Sequence, residues 1–160
     1  MRYSVDIETA LYDLLVVRKN ISASAHGLPA TLGDGTVPSS ALVDLPEGYF
    51  FRMPDGNLIR IPIMIPALPH VHVVRTGGYT TDMVIEQNNI DFDVYAEDQA
   101  EAMTVASELC GWVRELAGQE VGSPCYTSEI MTLPYANPDP RHPTLGRATF
   151  KAQIRIRTKE

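Results

Sequence analysis

The sequence is poor in cysteine, poor in positive charge and free of long apolar runs. Its two cysteines, Cys110 and Cys125, are too far apart for a Cys-x-x-Cys redox or zinc motif. They read as two free thiols of a reducing compartment, one in a helix and one in a strand. Thirteen Lys and Arg stand against twenty Asp and Glu, a formal net charge of -7. Tight nucleic-acid binding draws on a basic surplus that neutralises phosphates, so that class is disfavoured. No stretch approaches the roughly 20 apolar residues that span a bilayer. The N-terminus has no basic segment followed by an apolar one, so a secretory leader is not expected and a cytoplasmic protein is.

Catalytic signatures are also missing. Gly27 to Gly35 is glycine-rich but lacks the Lys-Ser/Thr ending of a phosphate loop. No Gly-x-Ser-x-Gly elbow and no His-Glu-x-x-His occurs. Cys125 has no context that marks a nucleophile. The expectation is a protein that is not an enzyme and takes no cofactor.

The 160 residues that are present suit one domain able to bury a core. Residues 5 to 19 read as a helix, with Ile7, Ala10, Leu11, Leu14 and Val17 as its apolar stripe and Ser4 as its N-cap. From Asn20 to Leu45, glycine and proline break every period, which predicts a long loop. A hairpin follows: Tyr49 to Met53, the turn Pro54-Asp55-Gly56-Asn57, then Leu58 to Ile61. His70 to Thr76 reads as a strand ended by Gly77-Gly78, and Tyr79 to Asn89 as a polar connection with a short strand near Met83 to Ile85. Ile90 to Ala96 alternates as a strand. Asp98 to Ala117 is the strongest helix, with Asp98 and Glu101 in capping-box spacing and Ala102, Val105, Ala106, Leu109, Trp112, Val113 and Leu116 on one side. Val121 to Leu133 and Arg147 to Arg157 read as strands around a loop from Pro134 to Pro143. The predicted fold class is α+β: a single domain, a mostly antiparallel sheet with two helices on one face, and a projecting hairpin and long loop inserted at about 20–69.

Few residues suggest chemistry. His70 and His72 share one side of a strand, a spacing that suits two zinc ligands, but no third ligand is tied to them, and His26 and His142 lie in loops. A solvent-facing pair is the preferred reading, and no metal is expected. Asp91 and Asp93 also share a face. Paired carboxylates can divide acid and base roles, but Lys151, Arg155 and Arg157 alternate on the last strand and would balance them across neighbouring strands. Trp112 and Met103 read as core. Candidate contact surfaces are this charged face (Asp91, Asp93, Lys151, Arg155, Arg157) and the hairpin (Phe50, Phe51, Arg52, Arg60).

From His70 to Leu116 the chain resembles the tail-terminator, or tail-completion, proteins of long-tailed bacteriophages. The likeness rests on Val71-His72-Val73-Val74-Arg75-Thr76-Gly77-Gly78, then Phe92-Asp93-Val94-Tyr95-Ala96, then the Ala-rich helix from Glu101-Ala102 to Leu116. The N-terminal helix and the Tyr135-Ala136-Asn137-Pro138-Asp139-Pro140-Arg141 loop before a final strand agree with it. The resemblance covers about two thirds of the chain; residues 20 to 69 depart from it. It implies a ring, of six copies, on the head-proximal end of the tail tube. The ring would stop tube polymerisation and present a joining surface to a head-completion or connector protein. It implies partners in a second copy of the chain and in the tail tube protein, no membrane, and a place in the virion after assembly in the host cytoplasm. DNA would pass through the lumen without specific binding, which an acidic wall suits. A heterologous ring needs two different contact surfaces per copy. Competing readings are a head-completion or stopper protein of the same neck, a small ligand-binding module or enzyme, and a nucleic-acid binder.

Overall fold

In the computed structural model, which describes residues 4–25, 42–45, 48–52, 55–61, 68–81 and 84–159 (between 42 and 61, side chains of 55–57 only), the first element is the helix α1, Ile7–Arg18. Its N-cap is Asp6, not Ser4: the Asp6 carboxylate accepts the Thr9 N–H at 3.1 Å. Ser4 instead donates to the buried Glu86 carboxylate, which also accepts the Val5 N–H at 3.1 Å and so ties the lead-in of the helix to the sheet. The buried stripe is Ile7, Leu11 and Leu15. Val17, expected in it, is 79% exposed, because it lies two residues, about 200°, beyond Leu15.

Among the described residues, eight strands follow or flank a second helix: β1 (Ser22–Ala25), β2 (Leu42–Leu45), β3 (Gly48–Arg52), β4 (Leu58–Ile61), β5 (His70–Thr81), β6 (Ile85–Ala96), α2 (Gln99–Arg114), β7 (Cys125–Ala136) and β8 (Gly146–Arg157). The main sheet has the order β1-β5-β6-β8-β7, and β2-β3-β4 form a separate three-stranded sheet. Among the described residues, all strand pairings are antiparallel except β1 with β5. The α+β class is as expected. The expected hairpin is β3–β4, with Gly56 at φ +87° and the Asp55 carboxylate accepting the Asn57 N–H at 2.9 Å.

Four expectations about the strands need correction. The supposed loop from Asn20 to Leu45 contains β1 and β2. Both are four residues long, too short to show a period. The polar connection from Tyr79 to Asn89 is mostly strand: β5 and β6 run on as a long antiparallel pair to Thr81↔Ile85. Met83 lies outside the described residues. Gly77 and Gly78 do not end β5; the register shifts between Arg75 and Gly77, and a Cβ on Gly78 would stand 2.0 Å from the Gln87 carbonyl oxygen. The glycines make a bulge and a close approach rather than a turn. Finally, β7 begins at Cys125 and continues through Pro134 to Ala136. Proline is tolerated because β7 is an edge strand and its register breaks between Thr132 and Tyr135.

Both helices pack on one face of the main sheet. Val71, Val73, Phe92, Val94, Phe150 and Ile154 on the strands meet Leu11 and Leu15 of α1 and Ala102, Ala106, Leu109 and Val113 of α2, all essentially fully buried. Phe92 and Phe150 are cross-strand partners with stacked rings 4.7 Å apart. The Asp98 carboxylate caps α2 by accepting the Glu101 N–H at 2.8 Å, as the sequence predicts. There β8 passes so close that a Cβ on Gly146 would lie 2.2 Å from the Asp98 carbonyl oxygen. Among the described residues, no helix is long and apolar enough to cross a membrane.

Candidate functional site on the polar face of the sheet

The face away from the helices carries every second residue of the strands, and registry brings distant polar residues together. β1 sets Ser22 beside His70 and Ser24 beside His72; β6 sets Tyr95 opposite His70 and Asp93 opposite His72; β8 sets Thr149 opposite Asp93 and Arg147 opposite Tyr95. Half of this face is buried. His70 is held by serines on both ring nitrogens: Ser22 Oγ lies 2.7 Å from Nδ1 and Ser24 Oγ 3.0 Å from Nε2. Burial, with help from His72 and His142, pulls the His70 pKa down to about 4, so it is neutral at pH 7. Burial lowers His72 as well, against the pull of Asp93.

Asp93 accepts the Thr149 hydroxyl at 2.6 Å and pairs with Arg147 Nη2 at 3.0 Å. Burial alone would lower the Arg147 pKa, but Asp93 and its neighbours outweigh it and the net shift is upward. The guanidinium also lies over the Tyr95 ring, 5.5 Å from its centre. Beyond β7, the loop of residues 137–145 closes over this end. The Tyr95 hydroxyl donates to Asp139 at 2.8 Å, and the Arg141 N–H donates to the other oxygen at 2.9 Å. These hydrogen bonds hold the Asp139 pKa below the usual carboxylate range despite its burial. Burial raises the Tyr95 pKa. The His142 ring meets Tyr95 edge-on at 5.4 Å.

The other half of the face is open. Asp91 and Lys151 pair at 3.4 Å with side chains 21% and 44% exposed, and Gln153 donates to Asn89 at 3.4 Å. A shallow groove of about 330 Å³ runs between Thr76, Asn89, Asp91, Met131, Lys151 and Gln153. Along its border β7 exposes Glu129, Met131, Leu133 and Tyr135, while Ile130, Thr132 and Pro134 between them are half-buried. Met131 is 58% and Leu133 65% exposed.

Of the sequence-predicted residues, then, Asp91 meets Lys151 as expected, whereas Asp93 is turned into a buried network with Arg147. Arg155 is half-buried and Arg157 exposed on the same face, and neither makes an ion pair among the described residues. The side chains of Phe50, Phe51, Arg52 and Arg60 lie outside the described residues, as does His26. His70 and His72 are not a solvent-facing pair; His70 is 2% exposed. Trp112 and Met103 are half-buried against the core. Cys110 lies in α2 and Cys125 opens β7; both thiols are free and buried, and burial pushes the Cys125 thiol up to about 11. Nothing in the local sequence pattern marks Ser22, Ser24, Asp139, Arg147 or the apolar row on β7 as site residues, and Tyr95 reads only as a strand-face residue beside Asp91 and Asp93.

Chemically, the buried half is a fastening. Both His70 nitrogens are engaged by serines, no carboxylate among the described residues orients the ring, and a base with a pKa near 4 is poorly matched to activating a serine at neutral pH. Among the described residues, no group of three or more His, Cys, Asp or Glu side chains is arranged to hold a metal ion. The open half offers an apolar row, a shallow groove and charged borders, which is the anatomy of a contact surface. No family model matches the chain, and no curated protein matches it.

Proposed function

We propose that the chain is an assembly subunit of the tail-terminator kind, acting in the virion neck and not as an enzyme. Copies close into a ring on the head-proximal end of a tail tube, stop its polymerisation and offer a surface to the head-completion protein. The observation that carries this reading is the apolar row on the outer strand β7. Met131, Leu133 and Tyr135 stand exposed on a protein of net charge -7, next to a shallow groove rather than a deep pocket. The register of β7 against β8 breaks three times. Such bulges discourage a further strand from adding to the edge, so side-chain contact is favoured over strand addition.

The test is native mass over a wide concentration range with negative-stain images, alongside capping of purified tubes. Closed rings that cap tubes are the expected result. A Met131→Ser, Leu133→Ser variant should fold normally and lose ring formation. A wild-type chain that stays monomeric even with tubes, and leaves them growing, would sink the reading. Binding to filled heads but not to tubes would favour a stopper protein instead.

A further inference from the structure

Resting on the ring reading, we propose that the open half of the polar sheet face receives the outer side of α2 from the next copy in the ring. The two surfaces lie on opposite sides of the molecule, since α2 packs on the apolar face of the sheet. Contact between them is head-to-tail, and repeated head-to-tail contact is what closes a ring.

The charges match in sign. The outer side of α2 exposes Glu101 and Glu108, the C-cap Glu115 continues their row, and none of the three makes an ion pair among the described residues. The sheet face exposes Lys151, Arg155 and Arg157 on β8 to differing degrees. Of these only Lys151 has an acidic partner among the described residues, and the buried Arg155 Nε has no hydrogen-bond partner there. Arg157 is exposed at the end of the strand, where a carboxylate of another copy can reach it.

The charges also match in spacing. The three glutamates are seven residues apart, so they drift only about 20° per step and form a row about 21 Å long at 1.5 Å per residue. Lys151 and Arg157 are six residues apart on one strand face, about 20 Å at 3.4 Å per residue. Two rows of equal length and opposite charge can lie side by side, with Met131 and Leu133 supplying an apolar border. A phosphate backbone is the other natural occupant of a basic row, but the chain's net charge of -7 disfavours it.

Charge reversal tests this on the full chain. Arg155→Glu with Arg157→Glu, and separately Glu108→Lys with Glu115→Lys, should each weaken self-association roughly tenfold or more. A one-to-one mixture should restore rings, because each reversed sheet face then meets a reversed helix and the copies alternate. Arg157→Glu alone, at an exposed strand end, gives a second reading should the Arg155 exchange disturb folding; circular dichroism checks each variant. If either double variant forms rings as the wild type does, this contact is wrong and the ring reading stands. If the wild type neither associates nor caps tubes, the ring reading itself fails and takes the contact with it. Retention of the wild type on duplex DNA, lost in Arg155→Glu with Arg157→Glu while self-association is unchanged, would assign the row to phosphate and overturn the proposal.

Discussion

The two halves of the polar sheet face are built from the same kinds of residue yet hold opposite positions in the molecule. Near the end of β6, Asp93 and Arg147 sit with Tyr95 beneath the 137–145 loop, which Asp139 fastens to Tyr95. A few residues away, Asp91 and Lys151 form the same type of cross-strand pair in the open. The difference lies in what covers them. Burial turns the first pair into a structural fastening whose loss leaves a largely buried charge without its partner. Exposure leaves the second pair weak and free to be exchanged for contacts with another molecule.

The largest test of this contrast is Asp93→Ala, which strands the Arg147 guanidinium and should cost about 3 kcal/mol in urea unfolding. A cost near zero would mean that water already reaches the pair and that the halves do not differ. Acid comes next. His70 is depressed from 6.5 to about 4 in the folded chain, so the unfolded chain takes up its proton first as pH falls. Stability from this residue is complete above pH 6.5, declines by about 3 kcal/mol as pH falls to 4, and then levels off. His72 and His142 are lowered too and act in the same direction. Chemical denaturation across this window should give a slope that His70→Asn flattens.

Tyr95→Phe removes the hydroxyl that donates to Asp139 and should cost about 1–2 kcal/mol, loosening the 137–145 loop. Faster hydrogen exchange in that loop would be the signature. The smallest effect belongs to the open half: Asp91→Ala should change stability by less than about 1 kcal/mol. A larger loss there would erase the contrast between the halves.

Where one face of an element is uniformly apolar, the sequence is readable. Phe150, Ala152, Ile154 and Ile156 alternate because one face of β8 meets only core, and the α2 stripe follows from the same one-sidedness. Alternation fails as a guide at Glu86, Gln87 and Asn88, which are polar yet buried in β6. Their partners, among them Ser4 for Glu86 and Tyr79 for Gln87, come from elsewhere in the fold. β1 was hidden for a related reason. Ser22 and Ser24 are unremarkable until parallel pairing sets them against His70, 48 residues beyond Ser22. Asp139 reads as a loop acid until the loop folds back onto Tyr95.

The sequence by itself determined the class of the fold, the two helices, the Asp98 cap, the β3–β4 turn and the strand alternation, because each depends on neighbours within one or two turns of chain. Tertiary structure alone decided which half of the polar face is a fastening and which is open for contact. That depends on strand register and on a loop laid across one end of the sheet, and both are set by packing between residues far apart in the chain.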